Sequence, residues 1–246
     1  TQRYQSFSIR ISMPDSDITM QPKTSTFKKM RDALQQGIYC VINPFVRLLI
    51  RMGVTPNIVT TIGLLGNIAA AALLVYAGYT GSATNMNYDL VTWAGAIIIL
   101  FSLFDMLDGQ VARLGGMAST FGAMYDSVLD RYCELFTLGG ISYYLIQTGY
   151  VGGALITFIA LVGSIMVSYV RARAEGLGLE CKVGFMQRPE RVVVTSIGAL
   201  ATGITGQCVS PAEFDATTIL IVCMGIIAVF ANITAFARIN HVRKQL

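Results

Sequence analysis

Charge is scarce in this sequence. Only 13% of its 246 residues are Asp, Glu, Lys or Arg, against roughly 25% in a typical soluble domain. Histidine is nearly absent, with His241 alone near the C-terminal end, which leaves little for chemistry built on a histidine base or a histidine-ligated zinc ion. The five cysteines (Cys40, Cys133, Cys181, Cys208 and Cys223) form no CxxC pair. They exclude a disulfide framework and a thiolate metal site, and read as packing residues. No apolar run begins before residue 30, so a secretory signal peptide is not expected. Lysine and arginine are missing altogether from the segments near Gly81–Asp89, Thr148–Gly149 and Gly206–Asp215.

The other 54% tells the opposite story: hydrophobic residues gather in long runs, each near the ~20 residues that carry a helix across a bilayer. The expected fold is an all-α integral membrane domain over residues 25–246, following a polar tail over 1–24. The segment "STFKKMRDALQQGIYCVINPFVRLLIRMG" mixes basic and apolar residues at helical spacing. It is too charged to span and reads as an amphipathic juxtamembrane helix at the surface, broken near Pro44. Six transmembrane helices are then expected near Asn57–Tyr79, Leu90–Leu114, Ser119–Gln147, Val151–Arg173, Pro189–Thr205 and Phe214–Ile239. A short turn at Gly115 and Gly116 makes the second and third of these antiparallel neighbours. Trp93, Tyr79, Tyr88 and Tyr150 fall near span ends and read as interfacial anchors.

All eighteen basic residues lie in the N-terminal segment, the second and fourth connections, the adjoining helix ends, or the C-terminus. Basic residues stay on the cytoplasmic side. Both termini should therefore face the cytoplasm, in the cytoplasmic membrane. A net charge of +4 distributed this way serves topology, and no nucleic-acid partner is expected.

Against this background the stretch "DMLDGQVARLGGMASTFGAMYDSVLD" stands out, with four aspartates in an apolar context. At ~100° per residue, Asp105, Asp108, Gly109, Ala112 and Arg113 share one face of the second span. Gly122, Asp126 and Asp130 follow at i, i+4 and i+8 on the third. Four carboxylates in a low-dielectric pocket repel and protonate unless compensated, and Arg113 and Arg131 do not suffice. An all-oxygen cluster suits hard divalent cations, two ions of Mg²⁺ or Mn²⁺. Such ions polarise phosphoryl oxygens, which makes phosphate chemistry the fitting use. Gly109, Ala112 and Gly122 either admit a ligand close to the backbone or serve tight helix packing. Glu134, one turn past Asp130, is either a supporting partner of the site or a salt-bridged residue.

The pattern Asp105-x2-Asp108-Gly109-x2-Ala112-Arg113-x8-Gly122-x3-Asp126-x3-Asp130 resembles, without a gap, the signature of the CDP-alcohol phosphotransferases. The resemblance implies that CDP-diacylglycerol binds with its pyrophosphate at the metals, an alcohol attacks the phosphorus next to the lipid, and CMP leaves. It implies Asp105, Asp108 and Asp126 as metal ligands, and Asp130 as the base, also touching a metal. Gly109, Ala112, Arg113 and Gly122 would form the nucleotide and pyrophosphate site. "TPNIVT", which contains Asn57 and Thr60, resembles the family segment that helps enclose the nucleotide. Together "RARAE" and "RPER" resemble the subgroup that transfers to inositol phosphate. Ser168, Arg171, Arg188, Arg191 and Arg238 would then bind the phosphate of inositol 1-phosphate, since guanidinium forks suit phosphate. The resemblance also implies a homodimer. Rival readings are the same enzyme class with another acceptor such as glycerol 3-phosphate, a divalent-cation transporter, and a non-catalytic lipid-binding relative.

Overall fold

The computed structural model describes residues 42–82, 86–210 and 213–246. The polar tail and residues 25–41 of the amphipathic segment lie outside the described residues. Residues 42–51 are helical (α1), with Pro44 in the first described turn, and the part of the segment ahead of the expected break at Pro44 lies outside the described residues. Six long helices follow: α2 Pro56–Thr80, α3 Tyr88–Leu114, α4 Thr120–Gln147, α5 Val151–Glu175, α6 Arg188–Cys208 and α7 Thr217–Arg243.

Local sequence explains the boundaries. Pro56 and Pro189 sit in the first turns of α2 and α6, where no backbone N–H is needed and φ is already helical. Ser119 caps α4 by accepting a hydrogen bond from the Gly122 N–H at 3.0 Å. Gly116 and Gly149 take φ of +62° and +90° in the turns before α4 and α5, a region open to glycine at little steric cost. Serine and threonine hydroxyls inside the helices bond back to carbonyls one turn earlier, as Thr157 does to Gly153 at 2.9 Å. A polar group among apolar neighbours is thereby satisfied within its own helix.

Four helices (α2, α3, α5 and α7) are long and apolar enough to cross a membrane. Their exposed faces carry large hydrophobic side chains, among them Leu155, Phe158, Phe230 and Phe236, the surface of an integral membrane protein. The expectation of six such spans is not met by α4 and α6. Both have the length, with 28 and 21 residues, but not the composition. α4 carries Asp126, Asp130, Arg131 and Glu134, and α6 opens with Arg188, Glu190 and Arg191.

The principal helix contacts close a ring in the order α2, α3, α6, α7, α5, α4 and back to α2. α3 and α4 are consecutive and antiparallel but are not principal neighbours, contrary to expectation; α2 packs against both. The turn between them is short, and carboxylates from both helices still meet in one cluster. α1 seals one end, burying Val46 with Val59, Leu107 and Val111. Tyr79 and Trp93 are exposed, as anchors should be. Tyr88 and Tyr150 are less exposed than Tyr79 and Trp93. Tyr88 is buried, with its hydroxyl 3.2 Å from the Met86 sulfur, and the Tyr150 hydroxyl donates to Asp215 at 2.6 Å.

Close approach within the ring depends on glycine. A Cβ on Gly203 would lie 2.6 Å from the Thr92 backbone nitrogen and 2.8 Å from its Cα, so α6 meets α3 backbone to backbone. Gly203→Val should therefore lower the melting temperature of the detergent-purified protein, with a cost of about 1–3 kcal/mol for overpacking. Gly139→Ala, inside α4 where an added Cβ meets nothing within 4 Å, should not lower it and should raise it slightly.

Candidate active site

The described basic residues all sit toward the end of the ring where α2, α4 and α6 begin, and the aspartates lie just inside that end. Asp105, Asp108 and Asp126 each offer a carboxylate oxygen, and these oxygens lie within 4.8 Å of one another. α2 supports the cluster: Thr60 Oγ1 stands 2.7 Å from Asp108 Oδ2, a buried hydrogen bond with the hydroxyl donating. Beside it, the Thr61 hydroxyl lies 3.0 Å from that of Tyr125 and ties α2 to α4.

Asp130, one turn deeper on α4, is held by arginine. Arg188 from the start of α6 bridges two carboxylates, with Nη1 on Asp105 Oδ2 and Nη2 2.7 Å from Asp130 Oδ1. Arg131 approaches the other Asp130 oxygen at 3.4 Å. Arg188 thus joins the aspartate cluster, a contact that its placement among the acceptor residues did not anticipate.

Beside the cluster opens a cavity of about 250 Å³. Asn57, Thr60, Gly109, Ala112, Arg113 and Gly122 all line it, as do Asp108 and Asp126. Two helices and the start of a third converge on this space, and its walls are thin where the side chains are absent. A Cβ on Gly122 would stand 3.0 Å from Ser119 Oγ and 3.4 Å from Asn57 Oδ1. On Gly109 it would meet only the Arg113 guanidinium. Of the two readings left open for these small residues, ligand access fits Gly109 and Gly122, since neither faces the backbone of a neighbouring helix at close range.

The remaining arginines do not converge on one pocket. Arg171 is exposed and pairs with Glu175 at 2.8 Å along α5, with buried Ser168 one turn before it. Arg191 is 3% exposed and forks onto Glu134 Oε1 from Nε and Nη2 at 2.9 and 2.5 Å. Glu134 is thus salt-bridged, which is compatible with either reading of it. Arg238, also buried, donates to the backbone carbonyls of Val183 at 2.8 Å and Val167 at 2.6 Å. The Glu134–Arg191 link was missed from sequence, although its signal was there. Glu134 follows Asp130 by four residues and Arg191 follows Arg188 by three, so each helix repeats its charge one turn on.

A divalent cation fits the three-aspartate cluster on two counts. The donors are all carboxylate oxygens, the chemistry that Mg²⁺ and Mn²⁺ take. Asp126 Oδ1 is buried with no hydrogen-bond partner, and an anionic oxygen left so is costly unless a cation meets it.

The profile of the CDP-alcohol phosphatidyltransferases matches residues 53–239. The chain belongs to that family of transferases. It is 32% identical over 205 residues to the phosphatidylinositol phosphate synthase of Mycobacteroides abscessus, spanning 82% of this chain and 84% of that relative. To the synthase of the same name from Corynebacterium glutamicum it is 33% identical over 166 residues, 67% of this chain and 71% of the other. The fold is similar to crystal structures of Mycobacterium tuberculosis phosphatidylinositol phosphate synthase. One of these is in complex with manganese and citrate, with a TM-score of 0.69, 32% identity and coverage of 81% of this chain and 87% of that one. Another has CDP-DAG bound, with a TM-score of 0.68, 32% identity and coverage of 81% and 92%.

Losing an outer partner of a metal ligand costs roughly 10–100-fold in affinity, and losing an anionic ligand should cost no less. Asp126→Asn should weaken Mn²⁺ binding by at least about tenfold, read from the free-ion signal in an electron paramagnetic resonance titration. Unchanged binding would place the ion elsewhere.

Proposed function

We propose that this transferase moves the phosphatidyl group of CDP-diacylglycerol to inositol 1-phosphate, releasing CMP and forming phosphatidylinositol phosphate. The observation that carries the reading is one juxtaposition. Two of the three clustered carboxylates, Asp108 and Asp126, line a cavity that also takes in every residue of the expected nucleotide site. The similarity to phosphatidylinositol phosphate synthases over about four fifths of the chain supports the choice of acceptor.

In this reading Asp105, Asp108 and Asp126 hold Mg²⁺ or Mn²⁺, with Asp130 completing a two-ion site. When bound, the ions polarise the phosphoryl oxygens and stabilise the charge that develops on them. The chain's own residues do the rest. Asn57 and Thr60 close the nucleotide cavity from α2. Gly109, Ala112 and Gly122 let the pyrophosphate approach the helices, and Arg113 meets its negative charge. Asp130 accepts the proton of the attacking hydroxyl. That oxygen bonds to the phosphorus next to the lipid glycerol, the bond from the same phosphorus to the bridging oxygen breaks, and CMP leaves with the electron pair. A carboxylate is a weak base toward an alcohol, and it serves here because proton transfer accompanies the attack.

The acceptor brings its own phosphate and so needs cations. Ser168, Arg171 and Arg188 are the residues we assign to it. Arg191 and Arg238 are committed to Glu134 and to backbone carbonyls, and shape the segment behind the acceptor without touching it. All six long helices cross the membrane in this reading, α4 and α6 with their polar faces turned into the ring. The basic end faces the cytoplasm, where CMP and the acceptor exchange with water while the lipid tails stay in the bilayer.

The test is mass spectrometry of the lipid that the reconstituted protein forms from CDP-diacylglycerol with inositol 1-phosphate, inositol or glycerol 3-phosphate. Hydrogen bonds to a charged group contribute about 1.5–3 kcal/mol each. Two or more lost with the phosphate should make free inositol at least about a hundredfold poorer as acceptor. Equal use of free inositol, or preference for glycerol 3-phosphate, would overturn the acceptor assignment. With CDP-diacylglycerol and Mn²⁺ both saturating, Asp130→Asn should lose turnover by about 10²-fold or more; near wild-type turnover would remove Asp130 as the base.

A further inference from the structure

Inside the ring lies a second, smaller cavity of about 30 Å³. All six long helices contribute to its walls, and it separates α4 from α6, which are not principal packing neighbours. α6 is packed on α3 and α7, and no close helix packing joins its start directly to α4. Two arginine–carboxylate links cross the gap instead: Arg188 to Asp130, and one turn further in, Arg191 to Glu134.

The inner link is built to hold position. Both side chains are more than nine-tenths buried. Arg191 grips a single oxygen of Glu134 with two nitrogens and donates its third to the Met186 carbonyl at 3.2 Å. Met186 lies two residues before the first residue of α6. The same guanidinium thus ties together α4, the start of α6 and the segment leading into it. Arg188 stands on that start, three residues before Arg191 and on the same side of the helix. Its Nε has no hydrogen-bond partner, so its aim depends on its two Nη contacts and on where the helix carries it. The segment ahead of α6 is pinned a second time by Arg238, at the Val183 carbonyl.

We propose that Glu134 is a positioning residue for the transfer reaction. Through Arg191 it ties the start of α6 and the segment before it to α4, so that Arg188 reaches both Asp105 and Asp130. The inference rests on the transferase reading of the site and deepens it. Glu134 itself touches neither substrate nor base, and its charge acts one turn away.

The experiment is a four-protein cycle of wild type, Glu134→Gln, Arg188→Lys and the double variant, measuring CMP release in reconstituted protein. Coupling through shared partners makes the effects of the two changes non-additive. Glu134→Gln should lower kcat about tenfold while the KM for CDP-diacylglycerol stays within about twofold, because no residue lining the nucleotide cavity lies on α6. In the Arg188→Lys background the same change should lower kcat by less than about threefold, since the fork it positions is already gone. An equal loss in both backgrounds overturns the proposal, and so does a raised KM for CDP-diacylglycerol with kcat unchanged. If Glu134→Gln yields no folded protein, Glu134→Asp takes its place in the cycle with the same two outcomes. Failure of the acceptor assignment leaves the cycle readable with whichever acceptor the wild type uses, so the two failures are distinct. A wild type that releases no CMP with any acceptor refutes the transferase reading and this inference with it.

Discussion

Negative charge inside an apolar bundle has to be compensated where it stands, and the arrangement of the helices answers to that need. Moving a carboxylate out of water carries a penalty of several kcal/mol even after the protein relaxes. The described residues meet it with specific partners: Thr60 on Asp108, Arg188 across Asp105 and Asp130, and Arg191 on Glu134. These partners come from α2 and α6, joined by Arg131 of α4 beside Asp130. α3 and α4 bear like charge on facing sides and do not pack on each other. α2 backs both, and α6 reaches across from the far side of the ring. A ring of six helices around a polar interior is what remains when the two most charged faces are turned inward.

Much of this was legible in the sequence because hydropathy and helical spacing act locally. The observed helices start and end within a few residues of the expected spans, and the six residues expected around the nucleotide do line one cavity. The errors arose where the answer depends on non-local partners. A two-glycine turn makes α3 and α4 antiparallel, but it says nothing about which helix stands between them. Tyr88 and Tyr150 lie at helix ends like lipid-facing anchors, yet Met86 and Asp215 draw them inward. α4 and α6 fall below the composition of a membrane span because their acids and arginines face one another, and no count along a single helix registers such pairing.

The arginines show the limit most sharply. Helical spacing placed Arg188, Arg191 and Arg238 near the same end of the bundle, and phosphate recognition gave all three one purpose. Position along a helix fixes the face of a side chain, not its partner. Arg191 finds an acid and Arg238 finds carbonyls, whereas Arg188 finds two of the four motif aspartates. A guanidinium has five N–H donors in a rigid fork, so a buried one is used up by its surroundings unless a gap is left beside it. Arg188 has a free Nε and lines a cavity on either side.

That contrast suggests how the fold divides its labour. The nucleotide cavity is made by α2, α3, the start of α4 and the turn before it, out of small side chains that bring a ligand close to the backbone. In the proposed reading the acceptor meets the ends of α5 and α6, where cations on side chains do the recognition. Asp105 and Asp130, joined by Arg188, stand between the two regions. A change of acceptor could then be made on α5 and α6 alone, provided that Arg188 is still delivered to the aspartates. In that reading the requirement falls on the buried Arg191–Glu134 link, which joins the start of α6 to α4.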